Sequence, residues 1–333
     1  MTTFAPVDRM VTEFRAALPV TTPVGLDTLT TTVPKEYVHR AAVTEVFLTG
    51  WRQTDTDTCA VTAQWPRAHT FYGPAGGFHD PLLFSETLRQ TVPLLSHAVY
   101  GAPMDHKQIW RDLRVSLDPA ALRAGLTPAD VELEIRCSDV ERRAGVLRGM
   151  RMDVTATRDG VRLATAATAF SSHSGALYRR LRGAYADAER AMAGAIAPPL
   201  PASPELVGRE RPHDVVLSPR ADDGRWQLRV HTPHPIIFDH PNDHAPGMLL
   251  LEAARQAAQH LLGPAPVLAT GLDAAFHRYS ELDAPAWVTA EPLGDGRVRV
   301  TVEQHDALVF ECAVTTHPAA AWRSAVAPRS AVA

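Results

Sequence analysis

The chain has 333 residues, of which 45% are hydrophobic, and this is enough apolar material for two domains of ordinary size. Its 33 basic and 37 acidic side chains give a net charge of −4, which argues against a nucleic-acid partner because such proteins present a basic field. No apolar run reaches the roughly 20 residues of a membrane span, so we expect a cytoplasmic protein without a membrane partner. Three cysteines fit reduced thiols better than a disulfide framework.

The first half of the chain predicts one long apolar helix set among strands. Arg158, Asp159 and Gly160 suit a hairpin turn, with glycine at the position that needs a positive φ. The helix covers residues 82–100. The predicted strands are 58–65, 130–137, 145–157 and 161–171.

The second half predicts the same order of elements. The stretch 195–204, which precedes it, is rich in proline and alanine and is typical of a stiff linker. Gly294, Asp295 and Gly296 repeat the hairpin chemistry of the first half. The helix covers residues 247–262, and the predicted strands are 226–231, 287–291, 297–304 and 308–316.

Matching residues indicate that the two halves arose by duplication. Arg40 corresponds to Arg209, 169 positions later, and neighbouring residues keep this spacing. Glu86 begins a Glu-x-x-Arg-Gln motif that returns at Glu252, 166 positions later, so the second copy is about three residues shorter in a connecting loop. Two copies at so long a period indicate a duplicated domain and not a solenoid.

A central helix followed by an antiparallel meander is the arrangement of the hotdog fold, and here it occurs twice. We therefore expect an α+β double hotdog, in which two tandem domains, each a central helix wrapped by an antiparallel sheet, pack as a pseudo-dimer. The expected boundaries are 30–185 for the first domain, 186–204 for the linker and 205–322 for the second domain.

The second predicted helix carries a charged pair on an apolar background. Glu252 and Arg255 lie three residues apart and therefore on one face of the helix. An unpaired buried carboxylate costs several kcal/mol, so Glu252 must be paired, hydrated or next to a cavity. A structural bridge and a functional pair are both compatible with this pattern, and Glu86 with Arg89 repeats it in the first half.

The start of this helix offers hydrogen-bond donors. The first backbone N–H groups of a helix, here those near Gly247 and Met248, have no intrahelical acceptor, and with the helix dipole they can bind an oxyanion or a thioester carbonyl. The segment Pro-Gly-x-x-x-x-Glu resembles the central helix of hotdog 3-hydroxyacyl-ACP dehydratases. However, Tyr72 and Phe238 occupy the positions of the dehydratase histidine, which disfavours dehydration.

Three separated motifs together resemble the AfsA family of A-factor-type γ-butyrolactone and butenolide synthases. They are VPKEYVHR at 33–40, GFHDP at 77–81 followed by ETLRQ at 86–90, and DHAPGM at 243–248 followed by EAARQ at 252–256. The resemblance covers both repeats, roughly residues 30–320. It implies an acyltransferase that moves a β-ketoacyl group from its acyl-carrier-protein thioester to the hydroxyl of dihydroxyacetone phosphate. The ester leads to a butenolide phosphate, a precursor of γ-butyrolactone, butenolide or furan signalling molecules in antibiotic regulation.

Charged residues of the motifs supply candidates for this chemistry. An alcohol needs a general base, for which we expect Glu252 with a pKa raised by its apolar helix. Glu86 is either its counterpart in a second, equivalent site or a supporting group. A phosphate needs guanidinium or ammonium partners, for which we expect Arg255 first, then Arg89, Arg40 and Lys35. Arg255 is also a catalytic candidate, as the acid–base partner of the reaction. The neighbouring Gln90 and Gln256 complete the predicted substrate-binding set.

Two histidines and two clusters leave alternatives open. His79 and His244 lie just before the two helices and are candidates for acid–base catalysis or for local hydrogen bonds. The residues 239–244 include acidic and histidine side chains, but their irregular spacing argues against a metal site, and we expect no metal and no cofactor. A basic run at 179–182 fits a solvated helix face or a contact with an acidic carrier protein.

Rival functions also remain open at this stage. Another hotdog enzyme acting on acyl thioesters, a thioesterase or a dehydratase, would not use dihydroxyacetone phosphate. A non-catalytic acyl- or lactone-binding regulator would gain stability from apolar residues in place of the buried charges. The sequence is compatible with either a monomeric pseudo-dimer or a homodimer.

Overall fold

The computed structural model describes residues 30–319, with short 3-10 turns between the regular elements. The helices are α1 (Pro81–Ala98), α2 (Gly175–Arg182), α3 (Ala188–Ala193) and α4 (Gly247–Leu262). The strands of the first half are β1 (Leu48–Asp55), β2 (Thr58–Trp65), β3 (Lys107–Leu117), β4 (Ala129–Arg143), β5 (Val146–Arg158) and β6 (Val161–His173). Those of the second half are β7 (Trp226–Gln227), β8 (Val267–Phe276), β9 (Trp287–Gly294), β10 (Arg297–Gln304) and β11 (Ala307–Pro318).

The strands form one antiparallel sheet of 11 strands in the order β1-β2-β4-β5-β6-β3-β8-β11-β10-β9-β7. The two halves meet where β3 pairs with β8, with Leu113 opposite Ala274 and Val115 opposite Leu272. Outward from this seam, β6, β5 and β4 correspond to β11, β10 and β9. The expected double hotdog, two similar modules joined as a pseudo-dimer, is confirmed.

The two central helices are the most buried elements of the structure. α1 and α4 contact each other, and each also packs on strands of its own half. The predicted helix 247–262 has the observed bounds, and the predicted helix 82–100 is shifted by one or two residues. Their strong apolar content explains this success, because a helix that is apolar on most faces belongs in the centre of a core. No helix among residues 30–319 is long and apolar enough to cross a membrane.

Several strands differ from the sequence prediction. β1, β3 and β8 were not predicted, and β8 is rich in alanine and glycine, which carry little strand preference. β3 pairs with β6 and β8 pairs with β11, and the two strands also pair with each other across the two halves, which is a tertiary effect. The predicted strand 226–231 is wrong beyond Gln227, since β7 has only two residues. Leu228 continues only as an isolated bridge to Leu217.

The connection between the halves is more structured than a plain linker. α2 and α3 follow β6, and extended chain then leads to a hydrogen bond from the Ala202 N–H to the Leu217 carbonyl. The predicted domain limits stay a prediction, and residues 320–322 of the second domain lie outside the described residues. Residues 32–319 belong to one compact unit.

Candidate active site

Each central helix buries a glutamate in a cage of donors. Glu86 accepts hydrogen bonds from Arg40, whose Nη2 is 2.5 Å from Oε1, from Arg89 at 2.9 Å and from Gln90 at 2.8 Å. Its side chain has no solvent exposure. Two cations around one carboxylate satisfy the buried charge, so this part of the prediction, that the carboxylate must be paired, is met by the structure.

The second half repeats the cage with the equivalent residues. Glu252 accepts from Arg209 Nε at 2.7 Å, from Arg255 Nη2 at 2.7 Å and from Gln256 Nε2 at 2.5 Å. Gln256 also accepts from the Val216 N–H, and therefore it ties the helix to the preceding extended segment. Gln90 makes the same contact with the Phe47 N–H in the first half. Both glutamine side chains thus form hydrogen bonds with backbone groups of the preceding extended segment. Neither glutamine lines the cavity described below.

The arginines of the two cages cross between the halves. Arg40 donates from Nη1 to the Ile236 carbonyl, and Arg209 donates from Nη1 to the Phe71 carbonyl. Each guanidinium therefore joins its own helix to the loop of the other half. This reciprocity is a direct consequence of the duplication and locks the pseudo-dimer.

The expected raised pKa of the helix carboxylates is wrong. Burial acts to raise the pKa of Glu252, but Arg209 and Arg255 outweigh it and lower the pKa to about 2. Arg40 and Arg89 do the same to Glu86, whose pKa also falls to about 2. A carboxylate held this firmly in its ionised form is a poor proton acceptor at neutral pH. Neither glutamate lines the cavity.

A cavity of about 920 Å³ lies beside only the first of the two cages. Its wall includes Arg40 and Arg89, and neither Arg209 nor Arg255. The difference follows from the residue that precedes each helix. Asp80 caps α1 by accepting from the Leu82 N–H and also pairs with Arg209 at 3.0 Å, so it fills the space beside the second cage. Pro246 stands at the same distance before Glu252 and carries no such group.

The cavity therefore brings together residues from both halves. Among the predicted site residues, the structure places Arg40, Arg89, His244, Gly247 and Met248 in its wall. The remaining predicted residues lie outside the wall, namely Lys35, His79, Glu86, Gln90, Glu252, Arg255 and Gln256. Lys35 is half-buried, lies outside the cavity wall and donates to the Ala41 carbonyl, so its expected place near a phosphate is not supported.

His244 forms a dyad with Asp243 at the edge of α4. Its Nδ1 lies 2.7 Å from Asp243 Oδ1, and within residues 30–319 we find no partner for Nε2. Asp243 also accepts from the Tyr178 hydroxyl and from Arg182 Nε. Burial opposes ionisation of Asp243, but His244, Tyr178 and Arg182, in this order, outweigh it and lower the pKa of its carboxyl strongly. An ionised Asp243 fixes the imidazole with a proton on Nδ1, which leaves Nε2 as a proton acceptor.

The N-terminus of α4 opens beside this dyad. Pro246 offers no capping side chain, and the first helical hydrogen bond begins at the Leu249 N–H, so the N–H groups of Gly247 and Met248 have no helical acceptor. A Cβ atom on Gly247 would lie 2.9 Å from Trp110 Cε3. Glycine is therefore required for the indole to pack against the first turn. Trp110 in turn stacks on Phe276 with ring centroids 5.3 Å apart.

His79 does not share the environment of His244. It lies seven residues before Glu86, whereas His244 lies eight residues before Glu252, so the two are not equivalent positions. Its ring is buried against Trp65, and both ring nitrogens lack a partner within residues 30–319. Burial lowers its pKa to about 4. His79 is a neutral core residue outside the cavity, and its role in catalysis is not supported by the geometry.

Sequence reasoning missed His39, which also lines the cavity. His97 must donate from Nδ1, because its partner at 2.8 Å is the Ala102 carbonyl. A neutral His97 then accepts at Nε2 from His39 Nε2, 2.9 Å away, and His39 keeps its Nδ1 lone pair. Burial, helped by His97, Arg89 and Lys107, lowers the pKa of His39 to about 3. The sequence signal that could have identified His39 as a site residue is its position directly before Arg40.

One cluster has the composition of a metal site. His213, Asp214 and His234 could bring one ligand atom each within 4.8 Å. However, His234 Nδ1 accepts from the Ile236 and Ile237 N–H groups, so Nε2 carries the proton that Asp214 accepts. In the first half, His69 makes the equivalent contacts with two backbone N–H groups and a glutamate. The cluster is a repeated structural support for a loop.

The double hotdog and a cavity with imidazole, helix N-terminus and guanidinium groups define a hotdog protein with a candidate active site. The family model described as the A-factor biosynthesis hotdog domain, AfsA, matches residues 21–173 and again residues 193–320. The chain belongs to the AfsA family, as the sequence motifs predict.

Relatives with a stated activity match nearly the whole chain. A 2-oxo-3-(phosphooxy)propyl 3-oxoalkanoate synthase from Streptomyces virginiae is 49% identical over 298 residues, which are 88% of this chain and 100% of the relative. Enzymes of the same name from Streptomyces griseus and Streptomyces coelicolor are 42% and 41% identical and cover 83% and 84% of this chain. The matches cover 92% and 89% of those relatives.

Solved structures with hotdog-type acyl chemistry are more distant. An acyl-ACP thioesterase from Bacteroides thetaiotaomicron aligns with a TM-score of 0.48 and 11% identity, over 78% of this chain and 98% of that one. The 12:0-ACP thioesterase from Umbellularia californica aligns with a TM-score of 0.46 and 12% identity, over 78% and 97%.

Proposed function

We propose that this enzyme transfers a β-ketoacyl group from an acyl-carrier-protein thioester to the hydroxyl of dihydroxyacetone phosphate. The product is a 3-oxoacyl ester of dihydroxyacetone phosphate, which leads to a butenolide phosphate and to γ-butyrolactone, butenolide or furan signals. The observation that carries the proposal is one cavity lined by a histidine–aspartate dyad, an open helix N-terminus and several cations. The relatives named as 2-oxo-3-(phosphooxy)propyl 3-oxoalkanoate synthases support the same reaction.

His244 is the proposed general base. Its Nε2 takes the proton of the acceptor hydroxyl while Asp243 holds Nδ1 and stabilises the imidazolium. The alkoxide oxygen attacks the thioester carbonyl, and the N–H groups of Gly247 and Met248 stabilise the tetrahedral oxyanion. When the intermediate collapses, the C–S bond breaks and the thiolate takes the proton from His244. His39, another imidazole of the cavity wall, is a weak base because burial lowers its pKa to about 3.

Arg40, Arg89 and Lys107 form the proposed phosphate subsite. All three line the cavity, and Glu86 offsets only one of their positive charges. Within the described part of the chain, Arg89 uses Nε and Nη2 in hydrogen bonds and has no partner for Nη1. Guanidinium and ammonium groups next to a space of this size suit a phosphate dianion. Lys107 thus takes the place that the sequence analysis gave to Lys35.

The apolar wall of the cavity supports an acyl donor. The side chains lining it include Ile109, Trp110, Ile236, Ile237, Phe276 and Val309. A pocket of several hundred Å³ with a few converging polar groups is the usual form of a site for a small organic substrate. A thioesterase would need the same wall, but it would not need a phosphate subsite for its acceptor, which is water. A passive binder would have no use for the Asp243–His244 dyad.

The proposal extends to the setting of the enzyme. Both substrates are products of central metabolism, which places the enzyme in the cytoplasm. All cavity residues come from one chain, so a monomeric pseudo-dimer contains a complete site. We retain 30–185 and 205–322 as the proposed limits of the two repeats.

One assay separates this function from its rivals. The purified protein is mixed with a β-ketoacyl carrier-protein thioester and dihydroxyacetone phosphate, and the products are followed by mass spectrometry. A phosphorylated ester or butenolide that appears only with both substrates supports the acyl transfer. Free β-keto acid formed at the same rate without dihydroxyacetone phosphate indicates a thioesterase, and unchanged substrates indicate a binding protein.

A further inference from the structure

Helix α2 has an inner face that is fixed to the cavity wall. Tyr178 and Arg182, one turn apart, both donate to Asp243, and Arg182 also forms a bond of 2.6 Å from Nη1 to Glu281. α2 follows the first repeat in the chain, and these contacts hold it against the second repeat. The basic run at 179–182 is therefore not a uniform solvated face, because Arg182 is buried.

The outer face of α2 has the opposite character. Arg179 and Arg180 are exposed, and 62% of the neighbouring Leu181 is exposed. Within residues 30–319, neither guanidinium has a carboxylate partner. The chain has a net charge of −4, whereas this local surface is positively charged and also presents an exposed leucine. We call Arg179, Arg180 and Leu181 the α2 outer face.

The α2 outer face lies at the mouth of the cavity. Arg179 and Arg278 contribute to the cavity wall and are both exposed. The two acidic residues of the wall, Asp243 and Glu281, are both paired with the buried Arg182. Within residues 30–319, neither Arg179 nor Arg278 forms an ion pair with these acids. A negatively charged partner would meet an attractive field there.

We propose that the α2 outer face docks the acidic carrier protein that delivers the acyl thioester, an inference that rests on the proposed function. A carrier must place its thioester arm into the cavity, so its docking surface has to lie at the mouth. Exposed arginines and an apolar side chain match an acidic helix that also offers apolar contact. Dihydroxyacetone phosphate does not account for this surface, because Arg180 and Leu181 do not line the cavity.

The test compares two donors of the same acyl group. One donor is the carrier-protein thioester, and the other is the N-acetylcysteamine thioester, which lacks the protein. We expect Arg180→Glu/Leu181→Ala to lower kcat/KM for the carrier-bound donor by about 10-fold or more, and to leave the small donor within about two-fold. In the wild type, rising salt is expected to lower kcat/KM for the carrier-bound donor more steeply than for the small one.

The matched control is Arg162→Glu/Val161→Ala. These residues are also an exposed basic and apolar pair, and they lie at the opposite end of β6 from α2. Equal losses with both donors, no loss with either, or an equal loss in the control would each overturn the docking surface. Carrier binding is measured separately by calorimetry, and unchanged binding in the test variant would also overturn it. If the wild type makes no phosphorylated ester from either donor, the proposed function fails, while the binding measurement still decides the docking surface.

Discussion

Replacement of Glu252 by glutamine separates a structural role from a catalytic one. The carboxylate is fully buried and receives hydrogen bonds from Arg209, Arg255 and Gln256. Glutamine keeps the size but removes the charge, so Arg209 keeps only Asp80 and Arg255 loses its carboxylate partner. Breaking a buried ion pair by removing one partner costs about 3–5 kcal/mol. The pKa gives a similar figure, because lowering it from 4.5 to about 2 corresponds to about 3 kcal/mol.

Thermal and chemical unfolding measure this loss. At about 2 °C for each kcal/mol in a chain of this size, the melting temperature is expected to fall by about 6–10 °C. Turnover well below the melting temperature is expected to change less than 10-fold, since Glu252 does not line the cavity. Glu303→Gln is the control, because Glu303 is exposed on β10 and has no ion pair within residues 30–319. Full stability combined with lost turnover would refute the structural assignment.

The remaining predictions concern the pH dependence and the cavity. The folded-state pKa values of Glu86 and Glu252 are lowered, so the stability that these carboxylates contribute is complete above about pH 4.5 and is lost as the pH falls towards 2. Acid unfolding followed by circular dichroism measures this loss. A stability that stays constant across that range would contradict the prediction. His244→Gln is expected to lower kcat by about 10²–10⁴-fold without a change in melting temperature, and near-normal turnover would exclude it as the base. Lys107→Met is expected to raise the KM for dihydroxyacetone phosphate while the KM for the thioester stays constant, and the reverse split would move the phosphate elsewhere. Gly247→Ala is expected to displace the Trp110 indole, which an altered tryptophan fluorescence spectrum and a lower kcat would reveal.

The fold was predictable because its main signals are local. The two helices follow from apolar runs, and most strands follow from alternation and hairpin turns. β3 and β8 have weaker local signals, and each lies between two partner strands, one of which is across the seam. A single sequence does not display that pairing. The duplication nevertheless implied that the two halves would pack together.

The candidate site was predictable only in part. Gly247, Met248 and the two first-half arginines follow from motif chemistry, and the structure brings them to one cavity. The charge state of Glu252 was misjudged because the sequence analysis did not connect it with Arg209, whose guanidinium lies 2.7 Å from the carboxylate although the residues are 43 positions apart. The local pattern displays only Arg255. A pKa set by a distant partner requires the fold before it can be assigned.

The two repeats differ at the residue before each central helix, where one space is closed and the other is open to a ligand. A duplicated pair of hotdogs begins with two equivalent spaces, each between the Glu–Arg cage of one half and the helix N-terminus of the other. Asp80 closes one of them by capping α1 and pairing with Arg209. At the other, Pro246 leaves the N-terminus of α4 open towards Arg40 and Arg89. Because the closed space joins the two halves by an ion pair and the open one admits ligands, one chain carries one structural space and one reactive space, which two identical subunits related by exact symmetry do not provide.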